Sequence, residues 1–393
     1  MTLVPVAEAQ ARLFALSPRL PTERVGLREA AGRWAAEDVT ALRTQPAADL
    51  SAMDGYAIRF ADRPGPWRLI GESAAGRPFA GHVGAGETVR IFTGAGMPEG
   101  ADTVLIQEEA ERDGDRVTLD GEGPMTEGRN TRRKGLDFTI GDRLVAAGER
   151  LTPARIAVAA TSGHGILHVR RRVRVAVAAT GDELVPPGST LMGLQLPESN
   201  GAMLAAMLAD LPVDVIDLGI LPDRLDALRD AFASVEADLL VTTGGASVGD
   251  HDLVRPALEA AGGTIDFWRI ALRPGKPMMA GRLGDAVLLG LPGNPVSAFV
   301  TAVLFVKPLV AHLAGAADPF PPTVRTTLGE DLPANNARTD YLRGQLRDGL
   351  AYASSIQDSS MLLTLARADC LIVRAANAPA ARAGDSAEIL VIA

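Results

Sequence analysis

The 393-residue chain has a single cysteine, Cys370, which excludes an intrachain disulfide. Set in the apolar run CLIV, that thiol reads as core packing and not as a redox centre. The five histidines lack metal-ligand spacing. His164 and His168 are four apart, but they flank a glycine and lead into a strand-like run, which argues against zinc. Excess positive charge is also missing. A net charge of −9 leaves no basic footprint for nucleic acid, so an anionic ligand must be small and held by a local cluster. The opening MTLVPVAEAQARLF carries neither the basic segment nor the long apolar core of a leader, and no later run of about 18 residues is free of charge and helix breakers. The expectation is a cytoplasmic protein that neither binds nucleic acid nor enters a membrane.

What is present is length and a hydrophobic content of 47%, enough for two to four domains with cores of their own. Residues 1–44 read as helical, from the apolar side Val6, Leu13 and Leu16 and the following LREAAGRWAAED. From 45 to 140 the chain turns Gly- and Pro-rich with short β runs, ETVRIFTG and DTVLIQEE, and Asp113-Gly114 reads as a hairpin turn. Helix signals resume at LTPARIAVAATSG, with Thr152 as N-cap, Pro153 as first helical residue and Gly163 as stop. A β domain (45–140) inserted into a helical N-terminal domain (1–44 and 141–172) follows. Residues 173–320 alternate between strands (RVRVAVAAT, VDVIDLG, ADLLVTT, TIDFWRIAL, AVLLGL) and helices, the mark of βαβ units and a mostly parallel sheet. Residues 321–393 read as a C-terminal β domain. The fold class expected is multidomain α/β plus β.

Ligands of an open parallel sheet bind beyond the carboxyl ends of its strands. Three of the five strand ends carry unusual loops: TGDEL (180–184), TTGGASVGDHD (242–252) and GLPGNPVS (290–297). In the third, Pro292 leads to Asn294 as a natural N-cap and Pro295 as a natural first helical residue, so the free N–H groups of that helix end would attract an anion. A plain capped helix is the alternative. Asp182 and Glu183 in the first loop, and Asp250 and Asp252 in the second, could hold Mg²⁺, which takes oxygen ligands. Capping is again the alternative, yet four carboxylates at two strand ends exceed what caps require. In TIDFWRIALRPGK, period-two geometry puts Arg269 and Arg273 on one strand face about 13 Å apart, with Lys276 following in a Pro-Gly turn. Solvated charges on an edge strand would look the same. PGKP lacks the spacing of a P-loop.

Ser247 stands in Gly-x-Ser-x-Gly, the spacing of a nucleophile elbow. The late histidine such a triad needs would be His312, buried deep in the helical run FVKPLVAHLAG. The backbone around Thr243, Gly244, Gly245, Ser247 and Gly249 serves better as an anion cradle. A cradle with a nearby metal also employs the flanking acids and basic strand, which a hydrolase leaves idle.

SAMDGYA (51–57), TGAGMPEGADTV (93–104), RRKGLD (132–137), ATGDEL, TTGGASVGDHD, RPGKP and GLPGNPVSA occur in the order found in the MoeA family of molybdopterin molybdenumtransferases, which includes the E domain of gephyrin. The resemblance spans nearly the whole chain. It implies an elongated four-domain homodimer with a central MogA-like domain. Such an enzyme takes molybdate and adenylylated molybdopterin, cleaves the phosphoanhydride with Mg²⁺, and releases molybdenum cofactor and AMP; the molybdopterin adenylyltransferase is a candidate donor. Carried onto matching positions, Glu183 and Asp252 bind Mg²⁺ beside Asp182 and Asp250. Asp54, Thr93 and Asp137 join the site from the inserted domain, across a two-fold interface. Lys276 and Ser297 contact molybdate, and Arg343 in YLRG and Ser359 in QDSSM match more loosely. An Asp-Gly turn is the other reading of Asp54. One departure stands out: where the family has lysine before the Pro-Gly turn, this chain has Arg269 and Arg273, a bidentate fork in place of a point charge. A non-catalytic scaffold that binds a pterin or peptide, and a serine hydrolase, are the alternative functions; the intact carboxylates disfavour the first.

Overall fold

A computed structural model describes residues 3–245 and 253–392. Helix α1 (Val6–Ala15) buries Ala9 and Leu13. The helix expected over LREAAGRWAAED shrinks to Leu27–Ala30, because Gly32 turns to φ +79° and the chain then bridges to Arg150 and Val169. Ahead of it, Thr22–Gly26 pairs antiparallel with Ile166–Arg170, so this part of the chain mixes helix and strand instead of being helical. Its small core comprises Ala35, Val39, Val145, Leu151, Leu167 and Val169. Thr152 caps helix Pro153–Thr161 through its hydroxyl, and Gly163 at φ +108° ends it.

The chain enters and leaves the inserted segment through paired strands. Val39–Thr40 lies against Arg143–Val145, Gln45 bridges Phe138, and Leu50–Ser51 pairs with Thr131–Arg132. Beyond this stem is a six-stranded sheet that buries Tyr56, Ile58, Trp67, Leu105 and Val117. Its hairpin pairs Asp113 with Arg116, so the two-residue turn is Gly114-Asp115, one place beyond the expected one.

The central sheet is built from β1 (Val173–Thr180), β2 (Val213–Leu221), β3 (Leu239–Thr243), β4 (Thr264–Trp268), β6 (Met279–Leu283) and β7 (Ala286–Leu291). Their order is β2-β1-β3-β7-β6-β4, parallel except for β6. Strand β6 went unseen in the sequence because Gly281 sits at its centre, a residue that weakens a strand pattern. Only glycine fits there, since a Cβ would lie 2.0 Å from the Thr264 carbonyl oxygen.

TIDFWRIAL is not one strand. Arg269 takes φ +85°, a conformation that reverses the chain, and β5 (Leu272–Arg273) leaves the central sheet to pair in parallel with β8 (Thr339–Arg347). Arg269 and Arg273 therefore do not share a strand face, which corrects the basic-strand expectation. The last long helix, α2 (Pro295–Leu313), has a mean hydropathy of 1.8 and is 83% buried, a core helix by its surroundings. It widens to a π turn at Ala302–Val306 just before Pro308. Proline has no N–H for the Leu304 carbonyl, and Gln10 of α1 supplies the missing donor at 2.8 Å.

At the C-terminal end, Thr339–Arg347 pairs with both Leu350–Ala353 and Cys370–Arg374, and the ladder through Thr323–Leu328 and Ser386–Val391 closes a five-stranded barrel. Cys370 is fully buried in its core beside Ile372 and Ile389, and burial pushes its thiol up to about 11.

Candidate functional site

From β1 the chain winds to β2 on one side and then to β3 and β7 on the other, so the β1/β3 boundary is a topological switch point. The carboxyl ends of β1, β3 and β7 are consequently neighbours. The three unusual loops meet there around one cavity of about 730 Å³. Thr180, Glu183, Thr243, Gly244, Gly245, Pro292, Asn294 and Pro295 line it, and Ser360 and Leu362 of the C-terminal domain close one side.

Backbone geometry explains the glycines. Gly244 (φ +87°) and Gly245 (φ +59°) both occupy the left-handed region. A Cβ on Gly244 would lie 2.3 Å from the Thr180 carbonyl oxygen, and one on Gly245 would lie 2.2 Å from Cγ2 of Val254. Gly293 packs against Gly244, which lets the third loop close onto the second. The Thr180 hydroxyl is buried beneath this turn, 3.0 Å from where a Gly244 Cβ would stand, and has no partner among the described residues. Ser247, Gly249, Asp250 and Asp252 lie outside the described residues.

On the acidic side Glu183 and a third carboxylate, Asp223 just beyond β2, line the cavity, and Asp182 does not. Asp182 accepts the Asp223 N–H at 3.1 Å. Burial first, and then the charges of Asp182 and Glu183, raise Asp223 above the ordinary carboxylate value. Among the described residues no three acidic, histidine or cysteine side chains converge closely enough to hold a metal by themselves.

On the other side, α2 starts with Asn294 at the N-cap and Pro295 next, as expected, but the Asn294 side chain does not cap. Its amide donates to the Ser359 hydroxyl at 3.0 Å, while the Val296 N–H donates to the Ser359 carbonyl at 3.1 Å. Ser359 thus occupies part of the helix end that was expected to be open. Arg343 does not line the cavity. Fully buried, it donates to the carbonyls of Ile356 and Asp358, and so shapes the loop that delivers Ser359. Ser297 is buried in the first turn of α2, against which Gly275 of the Pro-Gly turn packs. The next residue, Lys276, is exposed, and its side chain has no hydrogen bond or ion pair among the described residues. Arg273 is engaged by the buried Asp340.

Asp54 and Thr93 come together at the start of Gly55–Ile58 and the end of Glu87–Ile91, on the inserted sheet. Neither lines the cavity within one chain. Asp137 is exposed near the stem and shares no hydrogen bond with either among the described residues. His312 is committed elsewhere, with its ring stacked on Phe14 at 4.6 Å and Nε2 on the Ser17 carbonyl at 2.8 Å. It sits at the far end of α2 and does not line the cavity.

Comparison with known proteins agrees with this architecture. Residues 4–163 match the MoeA N-terminal region (domain I and II), 176–312 a probable molybdopterin binding domain, and 325–392 the MoeA C-terminal region (domain IV). A Haemophilus influenzae molybdopterin molybdenumtransferase is 38% identical over 368 residues, which cover 90% of this chain and 89% of that one. The chain belongs to the MoeA family. A Staphylococcus aureus molybdopterin molybdenumtransferase is 32% identical over 404 residues, covering 99% and 95% of the two chains. The structure also resembles a MoeA protein of Pyrococcus horikoshii, with TM-score 0.85, 27% identity and full coverage of both chains.

Asp223, Asn200 and Glu198 are among the cavity residues of this MoeA chain that escaped the sequence reading. Asp223 follows a strand just as Asp182 does, so the strand-end rule would have found it. Asn200, whose amide donates to the Gly293 carbonyl at 2.8 Å and whose Oδ1 is buried without a partner, opens a helix that looked merely apolar. Glu198 lines the cavity while accepting the Gly201 N–H at 2.8 Å, the signature of a local turn.

Proposed function

We propose that this chain inserts molybdate into adenylylated molybdopterin in a Mg²⁺-dependent reaction that releases AMP, acting as a homodimer. The observation that carries the proposal is the meeting of the three loops at one cavity that Glu183 and Asp223 line, together with Pro277, the residue after Lys276. Carboxylates in the cavity and a lysine, unpaired among the described residues, next to one of its lining residues suit a substrate pair of a metal-bound phosphoanhydride and a tetrahedral oxyanion. The donor set fits a hard cation. Asp182, Glu183 and Asp223 present carboxylate oxygens only, and the charges of Asp182 and Glu183 add to burial in raising Asp223.

In this reading Glu183 holds Mg²⁺ together with Asp252, with Asp182 and Asp223 beside them. When bound, the ion neutralises charge on the phosphoanhydride. The Gly244-Gly245 backbone, free of side chains, admits a phosphate to close range. Lys276 holds the oxyanion. Asp54, kept ionised by Thr93, enters from the second protomer's inserted domain, because it does not reach the cavity of its own chain. The reading places the chain in the cytoplasm, with the molybdopterin adenylyltransferase as donor. Incubating the purified protein with adenylylated molybdopterin, molybdate and Mg²⁺ should release AMP. No release above the protein-free reaction would overturn the proposal.

A further inference from the structure

Among the described residues, one strand pairing joins the central part of the chain to the C-terminal barrel: β5 with β8. Its register sets Leu272 opposite Thr339 and Arg273 opposite Asp340, and the Thr339 N–H donates to the Ala271 carbonyl at 2.9 Å. Asp340 is only 2% exposed, and one of its oxygens receives the Arg273 guanidinium. The other is buried without a partner among the described residues. Arg374 stands opposite Asp340 on the barrel, but its guanidinium is turned to the carbonyls of Pro333 and Pro379. The charge of Asp340 is therefore balanced by Arg273, across the domain boundary.

Three residues beyond Arg273 comes Lys276. The loop between them is closed on itself, with Ile270 N–H donating to the Lys276 carbonyl at 3.1 Å and Arg269 N–H to the Met278 carbonyl at 3.1 Å. Gly275, at φ +110°, wedges the turn between Leu272 and Thr301 of α2. The loop is also held by Val4, whose N–H donates to the Arg269 carbonyl at 3.2 Å and whose carbonyl accepts the Ala271 N–H at 2.8 Å; among the described residues its strand pairing with the barrel is β5/β8.

We propose that Asp340 is a positioning residue. By holding Arg273 it ties the loop that carries Lys276 to the barrel, and so sets where the Lys276 ammonium stands relative to the cavity. The barrel reaches the site a second time through Ser359 on the end of α2, so both sides of the oxyanion position take their placement from the C-terminal domain. This also accounts for the arginine. Its guanidinium meets one oxygen of a buried carboxylate, so position 273 serves the domain joint instead of the ligand. The proposal rests on the reading of Lys276 as the oxyanion contact.

The test uses the full-length protein. Asp340→Asn should speed hydrogen exchange of the 269–278 amides and leave β1 and β3 unchanged. It should raise the KM for molybdate about tenfold, as loss of a supporting partner typically does, while KM for the adenylylated pterin and kcat change little. Arg273→Lys, with Asp340 intact, keeps a charge for the carboxylate and should leave both readouts near wild type. Unchanged exchange at 269–278 in folded Asp340→Asn protein overturns the clamp, and faster exchange with an unchanged molybdate KM overturns the positioning role. Lys276→Ala, measured in parallel, separates the two ideas: if it too keeps its molybdate KM, the reading of the site is what fails. Should Asp340→Asn not fold, the double variant with Arg273→Gln, which buries no unpaired charge, carries the same measurements.

Discussion

The Asp54 carboxylate takes two hydrogen bonds from a single residue, Thr93, through its backbone N–H at 2.7 Å and its hydroxyl at 2.8 Å. Both bonds favour the ionised form, the backbone bond more strongly, and Asp54 lies below the ordinary carboxylate value. In the unfolded chain neither bond exists. The stability linked to this group is therefore complete above the unfolded value of 3.8 and is lost as pH falls through the lower folded one. Thr93→Val should move the Asp54 titration upward without returning it fully to normal, because the backbone bond survives. Carboxyl-carbon NMR titration of both proteins checks this, and Asp54→Ala should abolish AMP release.

Asp223 has the opposite sign. Its folded value is raised, so stability declines as pH climbs from the unfolded value of 3.8 through the folded one. Asp223→Asn should raise the melting temperature at neutral pH, and the gain should vanish below about pH 3.8, where the wild-type group is protonated in both states. Mg²⁺ should stabilise the wild type more than this variant or Glu183→Ala in the same thermal assay. Equal Mg²⁺ shifts in all three would remove the acidic wall from the metal site.

At the glycine turn, Gly245→Val should cost about 2 kcal/mol or more, combining a left-handed backbone with overpacking against Val254. Activity should fall with it. Ser247→Ala should retain most activity, and a fluorophosphonate should leave the protein unlabelled. Stoichiometric labelling at Ser247 would restore the hydrolase alternative.

A site completed by a second protomer makes a quantitative prediction. Mixing Asp54→Ala and Glu183→Ala proteins and allowing subunits to exchange should recover about a quarter of wild-type AMP release, since each heterodimer holds one unmutated site and one doubly mutated site. Demonstrated exchange without recovery would confine the site to one chain.

The strand ends were legible because β1, β3 and β7 are apolar runs buried on both faces, which makes any Gly- or Asp-rich interruption conspicuous. The sequence does not say that these three strands are neighbours; sheet order decides that. Arg269 and Arg273 were misread for a local reason. Period-two reasoning assumes extended backbone throughout, and a non-glycine residue at φ +85° breaks that assumption without a compositional signal. Asn294 was placed correctly as an N-cap, but a residue 65 positions away, Ser359, claims its amide. The Asp54–Thr93 pair spans 39 positions in the same way. Contacts of that kind depend on register, and register is set by the whole sheet.

The stem of the inserted segment has a consequence for how the chain can be built and cut. Residues 39–40 and 143–145 are hydrogen-bonded neighbours, and Gln45 bridges Phe138, so the two ends of the insert lie side by side. A short turn could join them at no more than the small closure entropy of a hairpin. Excising the segment between them should leave a chain whose remaining cores are complete, and that chain should fold while being unable to supply Asp54 and Thr93 to a partner. Topologically the insert is a detachable cassette, and the rest of the molecule threads past it as one continuous fold.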